Sequence, residues 1–199
     1  MEKEYKWQAN AALRERFMQL LAAHEALCSA QTVQMAAVYY ETADGILRKN
    51  GTALRLRREN DHSVCCMKRT LEKDGALAVR DEFEVQAETV QEGLEKLSEK
   101  GAPRDLCIFL RAQQLTELAR TEFERHCYLI APGAFTAEFA VDAGKLGNHG
   151  VMQPFEEIEL ELKTGDAAAF CAYAEQLQAE YGLIPQPLSK LARAAAVKA

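Results

Sequence analysis

Charged residues spaced two apart, in segment after segment, constrain this chain most. Glu2, Glu4 and Lys6 alternate with Lys3, Tyr5 and Trp7. Arg55 and Arg57 alternate with Leu54 and Leu56, and Lys68 falls in the segment that follows. Arg80, Glu82 and Glu84 share a period with Val79, Phe83 and Val85 between and beside them. Glu157, Glu159 and Glu161 alternate with Ile158, Leu160 and Leu162. A period of two is that of a β-strand, whose successive side chains point to opposite faces. Each segment therefore reads as a strand with one charged face.

Two arrangements accommodate such strands. The charged faces are either the solvated side of antiparallel sheets, or they turn inward in a closed barrel whose apolar faces lie outward under helices. Segregation of sign favours the barrel. Glu157, Glu159 and Glu161 form an all-acid row, and Arg55 and Arg57 an all-basic one. Like charges on one strand face repel, so an acid row is best tolerated where a cation sits. Isolated buried charges are costly, and the lumen must then be wet and matched to a ligand. Arg and Lys suit phosphate oxygens. Rows of Glu suit hard divalent cations, Mg²⁺ or Mn²⁺. A polyphosphate bridged by metal ions answers both.

The remaining sequence narrows the class. Its 199 residues predict one domain, and 48% hydrophobic content supplies a core. No apolar run approaches the roughly 18 residues of a membrane span. The opening MEKEYKWQAN lacks the apolar segment of a secretory signal, so a cytoplasmic protein with no membrane partner is expected. A net charge of −6 weighs against binding to a nucleic-acid duplex, but not against a local anion pocket. Cys28, Cys65, Cys66, Cys107, Cys127 and Cys171 contain no C-x-x-C pair and read as reduced thiols. Neither zinc-ligand spacing nor a phosphate-binding glycine loop is present.

Apolar periodicity and turn residues predict helices over Asn10–Leu27, Glu88–Lys100, Asp105–Leu118, Gly165–Tyr181 and Ser189–Val197. Strands are predicted over Val33–Thr42, Thr52–Arg58, Ser63–Thr70, Leu77–Gln86, Thr121–Ile130, Phe135–Val141 and Phe155–Leu162, with a loop at Gly144–Gly150. Hairpin-linked strands with helices in blocks make an α+β fold.

Glu2-Lys3-Glu4-Tyr5-Lys6 resembles the E-x-E-x-K signature of the CYTH domain, found in the triphosphate tunnel metalloenzymes. Other segments support the resemblance in order along the chain. They are Tyr39-Tyr40-Glu41-Thr42 (with Glu for the usual Asp), Ala53-Leu54-Arg55-Leu56-Arg57, Lys68, Arg80-Asp81-Glu82-Phe83-Glu84, Arg125, Asp142 with Gly144, the strand from Glu157 to Leu162, and Ser189-Lys190 with Arg193.

The resemblance implies a single CYTH domain over residues 1–199, folded as an eight-stranded antiparallel tunnel with a charged lumen and helices packed outside. It implies a metal-dependent triphosphatase using Mg²⁺ or Mn²⁺, with inorganic triphosphate as the expected substrate. The alternatives are a class IV-type adenylate cyclase, a thiamine triphosphatase, or a non-catalytic polyphosphate- or nucleotide-binding module. By position, Lys6, Arg55, Arg57, Lys68, Arg80, Arg125, Lys190 and Arg193 would hold the substrate. Glu2, Glu4, Asp142, Glu157, Glu159 and Glu161 would bind metal. Glu82 and Glu84 would support them, and Glu4, Lys6 and Arg57 would be catalytic. The expected partner is a small anion (triphosphate, or a nucleoside or thiamine triphosphate), and the expected state is a monomer or homodimer.

Overall fold

The computed structural model describes residues 2–198. Its strands are β1 (Glu2–Gln8), β2 (Leu27–Thr42), β3 (Thr52–Glu59), β4 (His62–Asp74), β5 (Leu77–Gln86), β6 (Leu115–Ile130), β7 (Phe135–Asn148) and β8 (Val151–Gly165). They close into one antiparallel barrel in the order β1-β5-β4-β3-β2-β6-β7-β8. Closure depends on β1. Its first half pairs with β5, Glu2 opposite Arg80, and its second half pairs with β8, Lys6 opposite Glu159. The helices are α1 (Ala11–Ala22), α2 (Ile46–Lys49), α3 (Val90–Glu99), α4 (Arg104–Arg111), α5 (Ala167–Tyr181) and α6 (Lys190–Ala195). No helix among the described residues is long and apolar enough to cross a membrane.

Helix packing decides which strand face turns outward. Tyr5 and Trp7 of β1, Phe139 of β7, and Ile158 and Leu160 of β8 join one core with Phe170 and Ala174 of α5. Asp166 starts α5 by accepting hydrogen bonds from the Ala168 and Ala169 amides. Trp7 Nε1 donates to Gln178 Oε1 at 2.8 Å, so the indole is satisfied outside the barrel. On the other side Leu54, Cys65 and Met67 pack beneath Leu94 and Leu97 of α3 and Cys107 and Leu110 of α4. Burying each large apolar side chain is worth about 1.5–3 kcal/mol. That drive turns the charged faces of β1, β3, β4, β5 and β8 toward the axis.

One wall reverses the expected pattern. On β2 the inward residues are the buried Val33, Met35, Ala37 and Tyr39, while Gln34 and Ala36 are exposed outside. On β6 Phe123 is buried with them, and Glu122 and Glu124 face out. Leu191 and Ala194 of α6 pack against this inward apolar set, which gives it a core on the tunnel side. The lumen is thus charged around most of its circumference and apolar along β2.

Element boundaries shift for tertiary reasons. The expected helix over Asp105–Leu118 ends at Arg111, and Leu115 already pairs with Thr42 in the sheet. Strand β2 starts at Leu27 rather than Val33, because the sixteen-residue β6 supplies partners along that length. The expected loop at Gly144–Gly150 is strand as far as Asn148. Gly144 is needed there for close approach: a Cβ would lie 2.2 Å from the Glu122 carbonyl oxygen. Helix α2 was not anticipated.

Candidate active site: the charged tunnel

The inward rows of β1, β3, β4, β5, β6 and β8 surround a cavity of about 610 Å³ within the barrel. Among the anticipated residues, Glu2, Glu4, Lys6, Arg55, Arg57, Lys68, Arg80, Glu82, Glu84, Arg125, Glu159, Glu161 and Lys190 line it. Their register explains the convergence. Lys68 lies opposite Glu82, Glu4 opposite Glu161 and Lys6 opposite Glu159 on neighbouring strands. Tyr39, Phe123 and Leu191 form an apolar stretch of the same wall.

The rows are interleaved by ion pairs. Lys68 Nζ lies 2.8 Å from both Glu2 and Glu82. Arg80 pairs with Glu4, and Lys6 Nζ is 3.3 Å from the same carboxylate. Arg55 lies 3.6 Å from Glu82 and 3.5 Å from Glu84, and Arg57 3.2 Å from Glu84. Even so, Nε of Arg55 and Nε of Arg57 are buried without any hydrogen-bond partner. Buried donors are almost always satisfied in folded proteins. Both side chains line the cavity, and a guanidinium there offers an oxyanion its fork of donors.

Carboxylate protonation follows position. Burial pushes the Glu2 and Glu161 carboxyls up, against the opposing pull of Lys68 and Lys163. At Glu4 burial also pushes upward, but Lys6, Arg80 and Lys68 overcome it and hold the group below the usual carboxylate value. Glu159 is mostly buried, yet Lys190, Arg125 and Lys6 hold it well below that value. The β1/β8 wall therefore mixes firmly ionised carboxylates with others that burial leaves short of positive charge.

Three anticipated residues stand behind the wall. Asp142 and Glu157 are wholly buried. Lys190 Nζ sits 2.8 Å from Asp142 and 3.1 Å from Glu159, and it also pairs with Glu157. Arg193 pairs with Glu157 as well. Arg125 grips Asp142 through two hydrogen bonds, at 2.8 and 2.7 Å, and pairs with Glu159. The aromatic wall supports these cations: Lys190 lies 5.1 Å from the Phe123 ring centre and Arg193 5.3 Å from that of Phe155. Ser189 sets the position of α6 by capping it through the Ala192 amide.

Two groups of side chains bring possible metal-ligand atoms within 4.8 Å of one another: Cys66 with Glu82 and Glu84, and Asp142 with Glu157 and Glu159. The Lys190 ammonium already contacts all three members of the second group. Arg55 and Lys68 flank the first. The Glu2, Glu4, Glu159 and Glu161 wall offers only oxygen donors on adjacent strands, which matches the preference of a hard divalent cation.

Sequence reasoning missed Glu59, Glu138 and Lys163, all of which line the cavity. Glu59 continues the Arg55–Arg57 row, and Lys163 the Glu157–Glu161 row, so the two-residue period carried the signal for both. Glu138 and Lys163 are paired at 3.4 Å. Arg48, also in the wall, carried no such signal.

Comparison with known proteins gives concordant matches. The CYTH domain family model matches residues 2–195. An inorganic triphosphatase of Haemophilus influenzae is 28% identical over 170 residues, covering 82% of this chain and 46% of that protein. The chain thus spans about half the length of that relative. A Hippeastrum protein assigned as an adenylyl cyclase, and described as having a dominant triphosphatase activity, superposes with a TM-score of 0.71 at 20% identity. That match covers 96% of this chain and 94% of the other. The PH1819 protein of Pyrococcus horikoshii superposes with a TM-score of 0.61 at 19% identity, covering 97% of each chain.

Proposed function

This chain belongs to the CYTH domain family, and on that premise we propose that it is a Mg²⁺- or Mn²⁺-dependent hydrolase of inorganic triphosphate. The observation that carries the reading is one cavity lined both by the cations Lys6, Arg55, Arg57, Lys68 and Arg80 and by the carboxylates Glu2, Glu4, Glu159 and Glu161. The named activity of the Haemophilus relative supports it. A binding module has no use for the ionised Glu4 and Glu159 beside Glu2 and Glu161, so the acid wall supports catalysis.

In this reading Lys6, Arg55, Arg57, Lys68, Arg80, Arg125 and Lys190 hold the phosphate oxygens. Glu2, Glu4, Glu159 and Glu161 hold the divalent cation, which when bound neutralises phosphate charge and acidifies a water. Phosphoanhydride hydrolysis asks the protein chiefly for positioning and charge stabilisation. Glu4, kept ionised by Lys6 and Arg80, accepts a hydrogen bond from the attacking water and receives its proton. The water oxygen bonds to phosphorus as the anhydride P–O bond breaks, giving phosphate and diphosphate. Lys6 and Arg57 stabilise the charge that develops on the oxygens. In this reading Asp142 and Glu157, expected as metal ligands, anchor Lys190 and Arg193 behind the wall, and Arg193, expected at the substrate, supports it.

Binding should stabilise the fold by mass action, by about 2.7 kcal/mol at a ligand concentration a hundred times Kd. Triphosphate with Mg²⁺ should raise the melting temperature more than diphosphate, and diphosphate more than monophosphate, because more oxygens reach more cations. Phosphate release from triphosphate, with and without Mg²⁺, measured alongside, tests turnover. Equal shifts for all anions at matched ionic strength would defeat the reading. A larger shift with ATP or thiamine triphosphate than with bare triphosphate would transfer it to the nucleotide or thiamine substrate.

Arg55→Ala and Arg57→Ala should each lower kcat/KM. A hydrogen bond to a charged group is worth roughly 1.5–3 kcal/mol, so each loss should cost about ten- to a hundredfold. Unchanged kinetics in both variants would mean that these arginines only neutralise Glu82 and Glu84.

A further inference from the structure

Arg48 differs from the other cations of the cavity. Every other lysine or arginine in the wall is ion-paired among the described residues, and Arg48 is not. A phosphate meeting Arg48 therefore displaces no carboxylate. The residue is also mounted on a braced support. The buried Glu41 carboxylate accepts hydrogen bonds from the amides of Thr42, Leu47 and Arg48, each at 2.9 Å, and so fixes α2. Thr42 Oγ1 accepts a further one from the Ile46 amide. The guanidinium lies over Gly45, at φ +72°, where a Cβ would stand 3.2 Å from Nη2.

The cavity has two unlike ends. Arg48 belongs to the end bounded by Thr52, Ser189 and Leu191. The opposite end carries Glu59, Glu138 and Glu161, with Lys163 already bound to Glu138 and Glu161 and Arg57 to Glu59. A chain of phosphates too long for the central cations must project toward one end. Carboxylates repel it at one, and a free guanidinium meets it at the other.

We propose that Arg48 forms an outer phosphate subsite, making linear oligophosphates of four or more units ligands and substrates of this tunnel. The inference rests on the triphosphatase reading and extends its substrate class. The test compares triphosphate with tetraphosphate in the wild type, Arg48→Ala and Arg48→Lys. Steady-state kinetics are measured with Mg²⁺, and binding is measured calorimetrically in chelator, where no turnover contributes. Loss of one charged contact should raise the tetraphosphate-to-triphosphate ratio of KM, and of Kd, about tenfold in Arg48→Ala. Arg48→Lys should recover part of it, and kcat for tetraphosphate should change less than KM. The same ratio in Arg48→Ala as in the wild type would overturn the subsite. A wild type that binds and cleaves triphosphate but refuses tetraphosphate would also overturn it, leaving the triphosphatase reading intact. A wild type that neither binds nor cleaves either compound would remove both.

Discussion

Glu161→Gln should lower kcat for triphosphate by about a hundredfold or more, the scale of losing one preorganised electrostatic group at a reacting centre. The substitution keeps the shape of the side chain and removes one anionic oxygen donor from the β1/β8 wall. Folding should survive. Burial already pushes the Glu161 carboxyl up, so the fold disfavours its charge, and its ion pair is with the half-exposed Lys163. Glu159→Gln should lose turnover similarly, but with some loss of stability, because Lys190 and Arg125 both lean on that carboxylate. The measurement is phosphate release across a Mn²⁺ titration, with thermal unfolding alongside. Near-wild-type turnover of both variants at low metal would remove this row from the ligand set.

The second large effect is on stability. Lys190→Met should destabilise the protein by about 3–5 kcal/mol, the cost of stripping the partner from buried charge. For a domain of this size each kcal/mol moves Tm by about 2–4 °C, so a fall of about 6–20 °C is expected. Three buried or nearly buried carboxylates, Asp142, Glu157 and Glu159, lose the ammonium between them. The penalty should shrink as pH falls. Burial already raises the Glu157 carboxyl to about 7, even with Lys190 and Arg193 beside it. A carboxyl raised in the folded state contributes stability fully present below its unfolded value near 4.5 and lost as pH rises through 7. Without Lys190 the folded carboxyl moves higher still, so protonation relieves the variant more than the wild type near pH 5. Adding Glu157→Gln to Lys190→Met should restore part of the lost stability near neutral pH. A Tm within a degree of the wild type for Lys190→Met at pH 8 would show that this cluster does not hold α6 in place.

The two-residue period of charge determined a good deal by itself. It placed Glu2, Glu4 and Lys6 on one face, Arg55 with Arg57, and Glu157 with Glu159 and Glu161, and it made closed antiparallel strands the economical solution. The reason is local: backbone geometry alone puts residues i and i+2 on the same side. Period does not say which side is inside. On β2 it gives Val33, Met35, Ala37 and Tyr39 one face as surely as it gives Arg55 and Arg57 one on β3, yet the apolar set turns inward on β2, where Leu191 and Ala194 of α6 pack against it. Nor does period say where a charge is spent. Glu157 and Glu159 read alike in the sequence. In the structure Glu157 is bound behind the wall by Lys190 and Arg193, while Glu159 reaches the cavity. Their partners lie more than thirty residues away in α6. Arg48 became visible only once α2 was placed at the tunnel's end. Composition and period fix the parity of a side chain, but closure of the barrel and the seating of the helices fix its partners, because pairing energy depends on distance in space and not on separation along the chain.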